Sequence, residues 1–331
     1  MESFDFLAPE ITQSDIATFA ADKVNLKSDR ANQYREQVRN LRDHLDRYIS
    51  EHPDMGLAKM ILSGSLAKST ALRTINDIDV GLYVKGDSAP QDLVKLLAWL
   101  VERLRTTYHQ ISPEKIYVDG PCVVISFSGT GLDVEITPIL YQGDPQWRGY
   151  IFDRFSGEKV LTSIPLHIDF LRKRKASQPD HFVQVVRLLK WWTRERERER
   201  ERDTHEFSIR SFLVELIMAK LADEGCKFAD YHTGLEHYFM YVKRTGLKER
   251  IAFRDNYALS ALPVRSTAVV EVFDPVNPEN NVASTMTENT RQTFVKLADQ
   301  ALDALSYART CQTKADALEC WREVMGATFN A

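Results

Sequence analysis

Two aspartates separated by one residue, Asp77 and Asp79, open the alternating run Asp77-Ile78-Asp79-Val80-Gly81-Leu82-Tyr83-Val84. Alternate residues of a strand point to the same side, so both carboxylates project together while Ile78 and Val80 turn into a core. Adjacent carboxylates repel each other unless a cation lies between them. Magnesium suits such a place, because it takes one or two carboxylates together with the phosphate oxygens of a substrate. Upstream, the apolar run Met60-Ile61-Leu62 leads into Ser63-Gly64-Ser65. Gly64 lets the backbone approach a ligand closely, and Ser65 can offer its hydroxyl and N–H to a phosphate oxygen. A glycine-serine turn is common by itself, and so is an aspartate pair. The two at this spacing, each after an apolar strand-like run, specify phosphate chemistry with divalent cations. Two-metal phosphoryl transfer needs one more carboxylate. The run Leu132-Asp133-Val134-Glu135-Ile136-Thr137-Pro138-Ile139 offers Asp133 and Glu135 on one face, and periodicity does not choose between them.

The elements that must position these side chains are legible from spacing. Tyr34, Val38, Leu41, Leu45, Tyr48 and Ile49 recur at three and four residues, which predicts a long helix from Ser28 to about Ser50. A second helix is expected over 90–108, then strands at 115–119, 122–128 and 132–140, the last two joined at Gly129-Thr130-Gly131, a hairpin signal. The glycine-rich, polar stretch 145–162 reads as a linker. Beyond it the pattern turns helical, with candidates at 162–176, 179–200, 207–224, 232–245, 289–308 and 313–325. The expected organisation is a mixed sheet-and-helix lobe over 1–160, braced by the N-terminal helix, and a helical lobe over 161–331 that completes a cleft.

Composition bounds the function. The chain has 331 residues, 44% hydrophobic and 27% charged, as ordinary soluble globular proteins do. A net charge of −4 argues against a surface that coats nucleic acid. Cys122, Cys226, Cys311 and Cys320 have neither CxxC pairing nor a histidine at metal-ligand spacing, and read as reduced thiols. The acidic start MESFDFLAPEITQSD is no signal peptide, and no apolar run is long enough to span a membrane, so a soluble, cytoplasmic protein is expected. The alternating Arg/Glu run 194–203 reads as a solvated helix end or loop whose charges compensate one another.

The pattern as a whole resembles the DNA polymerase β-like nucleotidyltransferase superfamily, whose signature is an apolar residue before Gly-Ser, a spacer, an Asp-apolar-Asp strand and a later acid on a strand. Within it, Arg187-Leu188-Leu189-Lys190-Trp191-Trp192 resembles the lysine-bearing helix of the oligoadenylate synthetases, cyclic GMP-AMP synthase and their bacterial relatives. Phe207 to Leu216 is similar to their S-[YF]-x-x-E-L helix, and Asp274 to Val282 to their D-P-x-x-P-x-N-N-V segment. The resemblance covers nearly the whole chain. It implies an α+β fold, a polymerase β-like lobe joined to a helical lobe of the oligoadenylate synthetase type. It also implies that the third acid is Glu135, with Pro138 following; glutamate here replaces the commoner aspartate, and Asp133 remains the alternative. By the same resemblance Lys190 neutralises a donor triphosphate and Ser211 hydrogen-bonds it, beside Gly64 and Ser65. Trp191 and Trp192 are expected to anchor the core. Asn280 and Asn281 are expected to be structural, able to cap a helix near Asn281 or to order a base pocket.

The opening Asp22-Lys23-Val24-Asn25-Leu26, the stretch Ser63 to Lys68 and the run Ser163 to Leu171 resemble the bacterial cyclic-oligonucleotide synthases (CD-NTases) of CBASS anti-phage defence, in particular the CdnC group. That group implies cyclic triadenylate made from ATP, other nucleoside triphosphates being possible substrates. Two magnesium ions held by Asp77, Asp79 and Glu135 are implied, with manganese as a substitute. Implied partners are a HORMA-domain regulator, an AAA+ ATPase, DNA as activator and a product-activated nuclease effector, with no membrane. The competing readings are a linear nucleotidyltransferase acting on RNA or protein, and an inactive nucleotide-binding module.

Overall fold

The strand that carries the aspartates is the inner strand of a sheet, and its neighbours decide where the acids point. In the computed structural model, residues 11–331 are described except 76, 129–130, 154–156, 179 and 202–206. The chain forms α1 (Gln13–Phe19), a π turn (Ala20–Val24), α2 (Ser28–Glu51), β1 (Leu57–Leu62), the single-turn α3 (Gly64–Ala67), β2 (Asp77–Lys85) and α4 (Leu93–Thr107). Next come β3 (Ile116–Asp119), β4 (Cys122–Phe127), β5 (Leu132–Tyr141), β6 (Gly149–Phe152) and β7 (Lys159–Thr162). Six further helices complete it among the described residues: α5 (Ile164–Ser177), α6 (Phe182–Glu201), α7 (Ser211–Asp223), α8 (Tyr231–Thr245), α9 (Glu288–Ala308) and α10 (Lys314–Met325). The architecture is α+β, as expected.

The sheet runs β1-β2-β5-β4-β3, with β6 on β5 and β7 on β6. All adjacent pairs are antiparallel except β2 and β5, which run parallel. One face of the sheet is apolar. Ile78, Val80, Leu82 and Val84 of β2 and Val134 and Ile136 of β5 share a core with Leu41 and Leu45 of α2 and Leu96, Leu100 and Leu104 of α4. The α2 stripe predicted from spacing is the stripe that is buried, apart from Tyr48 and Ile49 near the helix end. The opposite face bears the acids at one end. At the other end Gly81 and Tyr83 receive α5: Tyr83, Ile139 and Ile164 pack together, and the Ile164 N–H donates to Tyr83 Oη at 3.2 Å.

A second core lies among α5 to α10. The helix α6 is apolar on nearly all sides over its first half, with Phe182, Val185, Val186, Leu188, Leu189 and Trp192 buried, which marks it as the central helix. Trp191 donates its indole N–H to the Met325 carbonyl at 2.9 Å, and Trp192 packs against Phe239 and Phe294. Both tryptophans are core anchors. Ile16, Phe19 and Val24 of the N-terminal segment join this helical core rather than the sheet. Side-chain caps start α4 at Asp92, α8 at Asp230, α9 at Thr287 and α10 at Thr313.

Three expectations change. The stretch 145–162 is no free linker: it contributes β6 and β7, at four residues each too short to announce themselves by alternation, which extend the sheet from β5. No helix starts near Asn281; its side chain instead bridges the Val272 N–H and the Val270 carbonyl, and the next helix begins at Glu288. The Arg/Glu run continues α6 to Glu201, compensated in part by Arg198–Glu195 and Arg196–Glu199 pairs, but Arg194 turns inward. Gly129, Thr130, the end of that run at 202–203 and the first ten residues lie outside the described residues. Among the described residues no helix is long and apolar enough to cross a membrane.

A Cβ on Gly81 would lie 2.0 Å from Ile164 Cδ1. Gly81→Ala is therefore expected to cost about 1–3 kcal/mol by overpacking, measured by urea unfolding. Shortening Ile164 to valine in the same chain should recover part of that loss; additive losses would place the clash elsewhere.

Candidate active site

The parallel pairing of β2 and β5 is in one-to-one register: Asp77 stands opposite Asp133 and Asp79 opposite Glu135. Four carboxylates thus occupy one end of one face. They do not remain equivalent. Asp133 leans toward β4, where it accepts a hydrogen bond from Ser126 Oγ at 2.5 Å. Glu135 faces the aspartate pair: burial first, then the charges of Asp77 and Asp79 and a hydrogen bond shared with Asp77, push its carboxyl up to about 7. Asp79 is also held above the usual carboxylate range, by burial and by Asp77.

The turn after β1 presses against this pair. Gly64 has φ +61°, and a Cβ built there would fall 1.7 Å from Asp79 Oδ2. Only glycine accommodates both the backbone and the carboxylate. The Ser63 N–H donates to the Asp79 carbonyl at 2.9 Å and the Thr70 N–H to the Ser65 carbonyl at 2.8 Å, which fixes the turn on β2.

Across the cleft, α6 presents Arg187, Lys190 and Arg194 at spacings of three and four, one face of the helix. Each reaches the segment that follows the turn. Arg187 donates two bonds to the Ser69 carbonyl at 2.7 and 3.0 Å, Lys190 one to the Thr70 carbonyl at 3.1 Å, and Arg194 one to Thr74 Oγ1 at 2.6 Å. Ser211, first residue of α7, is exposed on the same wall. A cleft of about 410 Å³ lies between these parts, lined among others by Ser65, Asp77, Asp79, Lys190, Arg194 and Ser211. A larger cavity of about 720 Å³ sits between α6, α9 and α10, remote from the acids.

The structure thus brings together Asp77, Asp79, Glu135, Gly64, Ser65, Lys190 and Ser211, and turns Asp133 aside. Lys190 is only 6% exposed. Burial lowers its ammonium from the ordinary lysine range, opposed by the Glu215 carboxylate beside it. Arg194, Lys68 and Glu215 also belong to the cleft and were not singled out by sequence. Arg194 was masked by the charge run, although its spacing from Lys190 on the helix was a usable signal. Among the described residues no three acidic, histidine or cysteine side chains close around one point. The acids adjoin without forming a cage, which fits an ion whose remaining oxygens come from substrate and water, as magnesium's usually do.

The family model for the Second Messenger Oligonucleotide or Dinucleotide Synthetase domain matches residues 11–172. A cyclic AMP-AMP-AMP synthase of Escherichia coli (strain MS 115-1) is 45% identical over 319 residues, covering 96% of this chain and 98% of its own. The solved E. coli MS115-1 CdnC:HORMA-deltaN complex superposes with a TM-score of 0.92 at 44% identity, over 97% of this chain and 99% of that one. The structure of E. coli MS115-1 CdnC with ATP gives 0.91 at 44% identity, over 96% and 99%.

Two outcomes test the geometry. Because Glu135 is raised above its unfolded value, it costs the metal-free fold stability that is lost progressively as pH climbs from about 4.5 through 7. Glu135→Gln should therefore melt higher in EDTA, by about 1–3 °C at pH 8 and by less at pH 5, since water screens the half-buried group. A lower melting point at pH 8 would contradict the crowding of like charges. Gly64→Ala should lose all turnover while the sheet remains folded by circular dichroism; an active variant would show that the turn need not touch Asp79.

Proposed function

The chain belongs to the CdnC group of bacterial CD-NTases, the second messenger oligonucleotide or dinucleotide synthetases, and from that we infer that it joins ATP into cyclic triadenylate without a template, releasing pyrophosphate. It is an enzyme, a nucleotidyltransferase. The observation that carries the mechanism is the register of β2 and β5, which sets Glu135 beside Asp77 and Asp79, the two acids that line the cleft.

On this reading Asp77, Asp79 and Glu135 hold the divalent cations, magnesium or in its place manganese. Bound there, such ions supply charge neutralisation for the triphosphate and a more acidic acceptor hydroxyl. The chain's own groups do the rest. Gly64 keeps the turn close to the acids so that Ser65 can meet a phosphate oxygen with its hydroxyl. Ser211 offers a second hydroxyl from the far wall, and Lys190 adds positive charge behind the triphosphate. Held so, the ribose hydroxyl of one nucleotide attacks the α-phosphate of the next in line, and pyrophosphate leaves. Repetition and a final intramolecular attack close the ring. Residues 1–160 act as the catalytic lobe and 161–331 as the lobe that closes the cleft, with 11–24 reaching across to the helical core.

The setting we infer is the cytoplasm of a bacterium under phage attack. A HORMA-domain regulator is expected, in line with the CdnC:HORMA-deltaN complex. An AAA+ ATPase that acts on the regulator, DNA as activator and a nuclease that answers the product complete the reading.

Asp77→Asn with Asp79→Asn should abolish product without unfolding the chain. Incubation of the parent with the four ribonucleotides and magnesium, with and without DNA and HORMA protein, should give a phosphatase-resistant adenylate trimer by mass spectrometry. A product that loses terminal phosphate would make the enzyme a linear transferase, and full ATP conversion by the double variant would reject the acid site.

A further inference from the structure

Two of the four cysteines lie in contact. Cys311 sits in the connection 309–313 between α9 and α10, and Cys320 sits in the interior of α10. Their sulfurs are 4.0 Å apart, and the residues are 7% and 8% exposed. A disulfide needs its sulfurs at about 2.0 Å. Cys311, outside any helix, can close that gap by turning its side chain to another rotamer. It gives up only a weak thiol contact with the Tyr307 carbonyl at 3.5 Å. The other two thiols lie elsewhere: Cys122 on β4, 3.3 Å from Thr137 Oγ1, and Cys226 just after α7.

Cys320 is also the thiol that an outside reagent can reach. It lines the cavity of about 720 Å³ between α6, α9 and α10. Among the lining residues Asp303, Asp316, Glu319 and Glu323 are acidic and Arg196 alone is basic. An anionic disulfide such as oxidised glutathione is repelled there, whereas hydrogen peroxide, small and neutral, is not. Burial, and after it the Cys311 thiol, push the Cys320 thiol up to about 11. The thiolate is therefore scarce at neutral pH, and the pair stays reduced unless an oxidant persists. The helix that carries Cys320 holds other parts in place. The Met325 carbonyl of α10 accepts the Trp191 indole of α6, and Trp321 stacks on Phe329, which packs on Phe19 of α1. Fastening α10 thus fastens the seat of the central helix.

We propose that Cys311 and Cys320 form a dithiol latch, oxidised by hydrogen peroxide that enters through this cavity, whose disulfide fastens α10 to the end of α9. Cys320 Sγ gives its proton to water and attacks one peroxide oxygen. The O–O bond breaks, hydroxide leaves and takes up that proton as water, and Cys320 holds a sulfenic acid. Cys311 Sγ then attacks the Cys320 sulfur. The S–O bond breaks, and the departing hydroxide takes the Cys311 proton as a second water. Two thiols lose one electron pair and the peroxide gains it. Disulfides in a reducing compartment are transient and redox-sensing, and a thiol reductant reopens this one. The cysteines are nine residues apart in sequence, so the bond closes a short loop and stabilises the lobe by restricting the unfolded chain. The latch lies remote from the acids and does not depend on the nucleotidyl-transfer reading.

Peptide mapping of the full chain tests this. Trypsin cuts after Arg309, Lys314 and Arg322, which puts the two thiols on separate peptides, 310–314 and 315–322. After treatment with hydrogen peroxide, denaturation in iodoacetamide and digestion, these peptides should appear joined, two hydrogens lighter than their sum. Dithiothreitol should part them. The oxidised protein should melt about 3–8 °C above the reduced one. Cys311→Ser should remove both the link and the rise, and in that variant dimedone should trap the Cys320 sulfenic acid. Oxidised glutathione at the same concentration should join the pair more slowly than peroxide. The parent alone decides the link, whether or not the variant folds. Peroxide that leaves both thiols open to alkylation, or carries them unlinked to sulfinic acid, overturns the proposal. So does a link without a rise in melting temperature, or faster joining by oxidised glutathione.

Discussion

The parallel pairing of β2 with β5 is the constraint on which the molecule depends. A parallel neighbour in one-to-one register brings Asp79 beside Glu135 and Asp77 beside Asp133 from two segments more than fifty residues apart. An antiparallel or shifted pairing would scatter these side chains or turn one set into the core. The apolar partners Ile78, Val80, Val134 and Ile136, all fully buried, are what hold the register. The carboxylates are a consequence of that packing and work against it, as the raised Asp79 and Glu135 show. The fold tolerates this repulsion at one end of the sheet because the apolar register beneath it is strong.

The helical half answers the acids with charge of the opposite sign, delivered by a single helix. Arg187, Lys190 and Arg194 on one face of α6 bind Ser69, Thr70 and Thr74 in succession, so the segment that follows the glycine-serine turn is strapped to the far lobe. Glu215 from α7 ties the same segment through Lys68 and Thr70. The relative position of the two walls is therefore set by these polar contacts together with the apolar seam of Tyr83, Ile139 and Ile164, while each wall also has an apolar core of its own.

Much of this was legible in the sequence. Apolar stripes at helical spacing located α2 and α4, and long runs with no two-residue alternation located the helices from α5 to α10, to within a few residues. The strands β2 and β5 were equally plain, since one face is apolar and the other polar. The short strands β6 and β7 were not: each spans four residues and gains its stability from pairing to an existing sheet edge, which leaves little trace in local pattern. The N-terminal segment 11–24, which packs into the helical core, is a contact between parts of the chain far apart in order.

The sequence by itself determined the chemistry available: an aspartate pair on one strand face, a glycine-serine turn before it, an acid on a later strand and a lysine on a helix, because residue type and a two-residue period need no tertiary information. Only the folded structure decided which of those groups meet. Asp133 and Glu135 share a strand face and a spacing, and what separates them is Ser126 on β4, which takes one and leaves the other to Asp77. Lys68 and Lys190 are both cations within reach of the cleft, and what separates them is the number of acceptors around each nitrogen, a property of three chain segments brought together. Periodicity records which way a side chain faces; the hydrogen-bond partners around it are settled by neighbours distant in sequence.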